Sequence, residues 1–254
     1  MESAARRPLL LRLVEDYWAI LMLLVAWEAW VALSHFNAIV MPSPTAVAAD
    51  LAGHPDVYLG SVGITLGVAV FGLVAGMVIG TALAIGAWFS PIASGLLNPL
   101  TVLFSSVPVV ALIPVIARLL GYDISTVMAI VVIITFFPSF VFASSGLRQL
   151  PPGAQDLFGV LGASRLSVLW RLALPSAAPN LAIAFKLAAA HAILAAMVAE
   201  FLMGTSGLGY LFAQTKADFQ TERAFGTSVV ATVISATAFL LAGWVEKRVR
   251  ERFS

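Results

Sequence analysis

Residues 57–117 read VYLGSVGITLGVAVFGLVAGMVIGTALAIGAWFSPIASGLLNPLTVLFSSVPVVALIPVIA, 61 consecutive positions between Asp56 and Arg118 without one Lys, Arg, Asp or Glu. A hydrocarbon core takes only ~20 helical residues to cross, so this run holds more than one span. Ser90-Pro91 and Asn98-Pro99 are the natural places to divide it. The rest of the chain has the same character: 254 residues, 61% hydrophobic, 11% charged, mean hydropathy +0.99, where ordinary globular domains are about 25% charged. The chain is therefore read as an integral membrane protein. Its apolar runs are long and continuous, without the strict alternation of a β-barrel strand. Hydropathy and turn residues place helices near 17–36, 57–88, 96–119, 125–147, 176–203 and 226–246. The expected fold is all-α and polytopic, about six transmembrane helices in a single domain, 1–254, with no separate soluble domain and no internal repeat.

Arg6, Arg7 and Arg12 precede an apolar segment, Tyr17–Leu33, that exceeds the ~7–15 residues of a signal-peptide core and is followed by no small-x-small cleavage pattern. It is read as a retained first helix. Cytoplasmic loops collect Lys and Arg. With the N-terminus inside, ten of the 14 basic residues (Arg6, Arg7, Arg12, Arg148, Arg165, Arg171, Lys247, Arg248, Arg250, Arg252) fall on the inner side. Arg118, Lys216 and Arg223 fall outside, and Lys186 within a span. Both termini and the loop 148–175 are thus expected in the cytoplasm. The C-terminal VEKRVRERFS interleaves four basic residues with Glu246 and Glu251, which suits a topology-fixing flank better than a nucleic-acid patch.

The chain has no cysteine, and His35, His54 and His191 stand too far apart for a metal site. Paired carboxylates, a His–Glu cluster and a nucleophile elbow are all missing, so no catalytic role is expected. Gly72, Gly76 and Gly80, preceded by Gly63 and Gly67, form a stripe that lets another helix approach closely. Prolines 99, 108, 114 and 138 are expected to interrupt the third and fourth spans, which makes those spans candidates for a pathway wall. Ionisable residues inside spans are the functional candidates, because charge in hydrocarbon costs roughly 2.5–3.5 kcal/mol. Lys186 and Glu200, 14 residues apart, share a helix face to within about 40° but lie ~21 Å apart, so they cannot pair. Lys186 either snorkels to headgroups or offers a cation on an anion's path. Glu200, beside the Gly204–Tyr210 turn, suits a gate or a loop anchor, and His191 a packed neutral position.

Between the fourth and fifth predicted spans lies DLFGVLGASRLSVLWRLALP, Asp156–Pro175. Pro151-Pro152-Gly153 ends the helix before it. Leu157, Leu161, Val168 and Leu172 then recur at helical spacing, with Asp156, Arg165 and Arg171 on other faces. Gly162 is expected to break this helix, Ser164 to cap a second short one running to about Leu172, and Pro175 to start the next span. From the residues alone two readings stand: an interfacial helix with its arginines on phosphates, or a docking element for a cytoplasmic partner.

The segment resembles the cytoplasmic EAA loop of ABC-importer permeases: an acidic residue, Asp156, then Gly162-Ala163-Ser164, then Leu174-Pro175. Other stretches look like the nitrate/sulfonate/taurine-type branch of that family, in order along nearly the whole chain. They are Met41-Pro42-Ser43-Pro44-Thr45, Ala111-Leu112-Ile113-Pro114, Phe136-Phe137-Pro138, Ala199-Glu200 and Gly204–Tyr210. Asp156 stands where the family more often has Glu, Phe158 where it has a small residue, and Val68 where this branch often has Arg.

The resemblance implies a MetI-like type I importer permease fold in a bacterial inner membrane. It also implies a coupling helix docking on the ATPase through Asp156, Gly162, Ala163, Ser164, Arg165, Leu166 and Pro175, with Lys186, His191 and Glu200 candidates along the pathway. The implied partners are two cytoplasmic ATP-binding subunits, an extracytoplasmic solute-binding protein and a second permease copy. The chain itself has no Gly-Lys-Ser/Thr, hence no P-loop, so ATP and magnesium belong to the partner subunits. The implied cargo is a small anion such as nitrate, a sulfonate or taurine, with a pyrimidine precursor of thiamine as the alternative. An ion-coupled secondary carrier, the different-class reading, would need acidic residues within the membrane, for which only Glu28 and Glu200 offer themselves.

Overall fold

The structure, a computed structural model, describes residues 9–34, 37, 39–105 and 108–253. Arg6 and Arg7, which entered the orientation argument, lie outside the described residues. The elements are α1 (Leu9–Ser34), α2 (Pro44–Gly53), α3 (Pro55–Phe89), α4 (Pro91–Ser105), α5 (Val109–Leu120), α6 (Ile124–Arg148), α7 (Ala154–Val160), α8 (Arg165–Val168), α9 (Leu174–Met203), α10 (Gly207–Ala217) and α11 (Thr221–Phe253). A wide π turn, Leu169–Ala173, joins α8 to α9. No strand occurs among the described residues.

Four of these helices are long and apolar enough to cross a bilayer: α3, α6, the continuous run from α8 through α9, and α11. They expose large apolar side chains such as Val78 and Leu240, as helices surrounded by lipid or by other subunits do. Four of the six predicted spans correspond to these helices, while the first, 17–36, falls in α1, whose described apolar part Trp18–Ser34 is shorter, and the third needs correction. The third, 96–119, is two shorter helices, α4 and α5, on either side of Pro108, which caps α5 at φ −63°. The other prolines do not interrupt. Pro99, Pro114 and Pro138 lie inside α4, α5 and α6, and one turn around Pro138 gains the bond from Ser139 Oγ to Thr135 O, 2.7 Å. Side-chain hydroxyls that restore backbone bonding are one way a membrane helix carries proline.

α9 is the central helix, packed on α3, α6, α10 and α11. Its buried surface is almost wholly alanine: Ala182, Ala184, Ala188, Ala189, Ala192, Ala195, Ala196 and Ala199. α3 meets α6 through the predicted glycine stripe. A Cβ on Gly76 would overlap Thr135 Oγ1 and lie 2.8 Å from Val132 O, and one on Gly80 would lie 2.8 Å from Phe136 O. Gly63 and Gly67 do not belong to this contact, since nothing lies within 4 Å of a Cβ at either. Their side of the helix turns outward.

Two ends of the bundle can be told apart. At the loop end, residues 148–175 sit against the end of α3 and the start of α9. At the far end, α2 ties the start of α3 to the start of α11, and the C-terminal half of α1 arrives there. Glu28 accepts from Thr45 N (3.1 Å) and Thr45 Oγ1 (2.9 Å) at the first turn of α2, where a carboxylate meets the positive end of the helix dipole. Trp27 stacks obliquely on Phe225, centroids 5.7 Å apart.

Overpacking a tight helix contact costs about 1–3 kcal/mol. Gly76→Val therefore lowers the thermal midpoint of the purified chain in detergent, while Gly67→Ala leaves it unchanged or raises it. Equal midpoints for the two variants in a fluorescence-detected melting series would refute the glycine seam.

Candidate functional site

The loop is built from two short helices on glycine hinges. Gly153 (φ +74°) and Gly162 (φ +65°) both adopt the left-handed conformation, each with open space around a would-be Cβ. They are needed for their backbone freedom. Asp156 lies in the first turn of α7, exposed. Ser164 caps α8 as expected from sequence, its Oγ accepting from Ser167 N at 3.3 Å. Ala163 is half-buried behind it.

The expected start of the next span at Pro175 requires correction. The helix runs without interruption from Arg165 to Met203, 39 residues, and Pro175 rides inside it. The π turn supplies the reason. Leu174 N donates to Leu169 O, five residues back, and this widened turn stands next to the residue that has no N–H to give and whose ring crowds the preceding turn.

The predicted apolar stripe of the loop divides between two environments. Leu172 is buried, and its neighbours Leu169 and Ala173 pack in a cluster with Ala84, Ala87, Phe140, Ala143 and Leu147. Leu157 and Leu161 face outward at 58% and 70% exposure, joined by Val160, Leu166 and Trp170. The inner row fixes the loop to the bundle, and the outer row is an uncovered apolar surface. Arg165 braces it from the side, its Nη1 donating to Phe89 O (3.3 Å) at the negative end of α3. Arg148 bonds Ser94 Oγ. Between these arginines, Trp88, Phe89, Leu150 and Gly159 border a cavity of about 540 Å³.

The three candidates within α9 are not brought together. Lys186 Nζ pairs with Glu246 Oε2 of α11 (3.1 Å) and lies 4.8 Å from the centre of the Phe239 ring. Glu246 in turn meets Arg250 at 2.5 Å. Glu246 had been read only as part of a charged flank. His191 is exposed on the outer face of α9, as is Leu194, rather than packed. Glu200 is buried to 1% exposure. Its Oε2 accepts from Thr65 Oγ1 (2.8 Å) and Gly209 N (3.0 Å), and Leu208 N donates to Thr65 Oγ1 (2.9 Å). Three elements, α3, α9 and α10, converge on this one carboxyl group.

Sequence reasoning missed a second polar cluster at the far end. Arg223 of α11 donates to Asp50 of α2 from Nη2 (3.0 Å to Oδ1) and Nε (3.3 Å to Oδ2), and Tyr58 of α3 donates to Oδ2 at 2.5 Å. His54 Nδ1 lies 3.1 Å from Oδ1. Asp50 and Arg223 are 173 residues apart, and only their proximity to span ends hinted that they could meet.

Residues 58–251 match the family described as the binding-protein-dependent transport system inner membrane component, and the chain belongs to that family. It is similar over 238 residues, at 29% identity, to a probable ABC transporter permease protein of Haemophilus influenzae, covering 94% of this chain and 97% of that one. Similarity to a formylaminopyrimidine transport permease of Halalkalibacterium halodurans is 27%, covering 86% and 88% of the two chains. To the taurine transport permease of Escherichia coli it is 26%, covering 93% and 87%. The fold is shared with the MetNI methionine ABC transporter in its inward-facing conformation, at TM-score 0.60 and 16% identity over 76% of this chain and 94% of that one. The protein is a multi-pass permease subunit of the ABC-importer class, as its loop and spans led one to expect.

Burial by itself would raise the Asp50 carboxyl, but the hydrogen bonds from Arg223 and Tyr58 and the nearby positive charges outweigh it and hold the group below its ordinary value of 3.8. A depressed folded-state value means that the clasp contributes stability above the unfolded value and loses it as pH falls through the folded one. Hydrogen exchange in α2 and the first turns of α11 should accelerate below about pH 4. Asp50→Asn should exchange faster at neutral pH and show no such acid step; an unchanged profile would discard the clasp.

Proposed function

We propose that this chain forms the translocation pathway of an ATP-driven importer, working as a homodimer with two cytoplasmic ATP-binding subunits that supply ATP and magnesium. A solute-binding protein delivers cargo at the far end. In this reading the loop end is cytoplasmic, with both termini on that side of a bacterial inner membrane. The observation that carries it is the outer row of the loop: Leu157, Val160, Leu161, Leu166 and Trp170 stand exposed on a segment that also carries Asp156, Arg165 and Arg171. A surface of this kind suits a protein groove. Because Gly162-Ala163-Ser164 lead straight into a helix that continues through Pro175 to Met203, closure of the ATPase pair would move the loop and α9 as one body.

Gly162→Pro, incompatible with φ +65°, and Arg165→Glu, which sets a carboxylate against Phe89 O, should each abolish ATP-driven uptake with membrane insertion intact. Copurification should show loss or misdocking of the P-loop ATPase. Normal ATP-driven uptake by either reconstituted variant would overturn the coupling role.

The proposed cargo is a small anion of the nitrate, sulfonate or taurine kind. The exposed His191 suits a wall of the pathway, because an imidazole turned to lipid would be costly. A second reading, an uncharged or weakly charged pyrimidine-type solute, is favoured by the pairing of Lys186 with Glu246, which engages the ammonium group within the protein rather than leaving it free for an anion. Lys186→Met separates them in uptake assays with radiolabelled taurine and with a formylaminopyrimidine. An anion route loses taurine uptake by about tenfold, whereas a structural pair leaves the better-transported cargo unaffected.

A further inference from the structure

The end of α9 and the start of α10 form a return inside the bundle rather than above it. Gly209 packs so closely on α9 that a Cβ would overlap Met197 O and lie 2.6 Å from Phe201 N, and Phe212 meets Phe201 edge to face at 5.6 Å. α10 therefore runs back alongside the last turns of α9. Its N-terminus rests on Thr65, seven residues or about 10 Å further along α3 than Tyr58, and its C-terminal end returns to the Asp50 clasp, where Gln220 Oε1 accepts from Arg223 Nη1 at 3.1 Å. α10 is thus a half-span helix of 11 residues with its positive end pointing inward.

That end is filled by Glu200. Oε2 takes both available donors, the Thr65 hydroxyl and the Gly209 amide, while Oε1 is buried and without a hydrogen-bond partner. Gly207, at φ +89°, lies directly over the carboxyl group, where a Cβ would overlap both oxygens. No cation is at hand. The ionisable groups on α3, α9, α10 and the first turn of α11 are Asp56 and Tyr58, Lys186 and His191, Tyr210 and Lys216, and Glu222 and Arg223, and the remaining charges of α11 begin only at Glu246; none bonds Glu200, Lys186 is held by Glu246 and Arg223 by Asp50. A carboxylate here would keep a full charge with one oxygen unmet in an apolar bundle. A carboxylic acid leaves only a neutral hydroxyl unmet, by far the smaller penalty.

We infer that Glu200 is a positioning residue that acts as an uncharged acid, seating the inner end of α10 on Thr65 and so holding α10 against α9 and α3 in the arrangement seen here. The seat needs one acceptor oxygen, not a charge. Glutamine keeps that oxygen and alanine removes it.

Hydrogen exchange of the full chain in lipid nanodiscs tests the seat directly, and its outcome does not depend on the transport reading. Glu200→Gln should leave the 204–217 segment as protected as in the wild type, while Glu200→Ala should lose about tenfold or more in protection there. The transport arm, which does rest on the permease reading, uses the complex with its ATP-binding subunits: uptake is retained in Glu200→Gln with a pH profile like that of the wild type, and lost in Glu200→Ala. Loss of protection and uptake in the glutamine variant equal to that in the alanine variant would show that charge is required and overturn the inference. So would wild-type protection in Glu200→Ala. Absence of ATP-driven uptake in the wild-type complex would count against the permease reading alone, and the exchange result would still decide the seat.

Discussion

Close approach of helix backbones is the constraint on which this structure depends. In lipid there is no hydrophobic gain from packing one apolar helix on another, so association rests on van der Waals contact, interhelical hydrogen bonds and small residues at the seam. α3 meets α6 through Gly72, Gly76 and Gly80, and Thr135 Oγ1 crosses that seam to Gly72 O at 2.8 Å. α9 presents alanine to its neighbours, and Gly146 of α6 lies against Ala177, where a Cβ would stand 2.8 Å from its Cα. With two seams this tight the relative positions of α3, α6 and α9 are fixed, and the Glu200–Thr65 contact is placed by that trio.

Polar groups within the bundle have a different task. Lys186–Glu246 couples α9 to α11, Asp50–Arg223–Tyr58 couples α2, α3 and α11, and Glu200–Thr65 couples α9, α3 and α10. The last two sit where a helix begins, ends or turns back and so determine how elements connect, whereas Lys186–Glu246 ties two neighbouring helices along their length. α11, little buried along its length, packs on α9 and α10 and adds to that contact one such pair in its first turn and another toward its C-terminal end.

The fold was legible because its signals are local. The charge-free run 57–117, the glycine period and the Ser164 cap each follow from a few neighbouring residues. The division of the predicted third span at Pro108 and the unbroken passage through Pro175 were not, because proline reports only a missing N–H and a fixed φ; whether a helix breaks depends on what the turn before it does. The loop stripe was visible as a period, yet nothing in the period distinguishes Leu172, which is buried, from Leu161, which is exposed. Asp50 with Arg223 and Lys186 with Glu246 are long-range pairs, beyond the reach of periodicity. A sequence signal did exist for Glu200: an acid in an apolar run followed by Gly-x-x-Gly-x-Gly implies a carboxyl group closely covered by backbone.

α9 joins these observations into one mechanical argument. The loop 148–175 and the α10 seat are at opposite ends of a single helix whose 35-residue separation from Arg165 to Glu200 spans roughly 50 Å. No loop intervenes. The irregular points on the way, the π turn at Leu169–Ala173 and Pro179, both lie within the first half, and the buried alanine surface beyond them leaves α9 little freedom to bend independently of α3 and α6. A rotation applied at Arg165 is therefore delivered to Glu200 with the helix, and Thr65, on the neighbouring α3, is the part against which it is registered. An uncharged hydrogen-bonded seat suits that position: it is directional enough to define where α10 rests, and its release exposes no ion to the apolar interior.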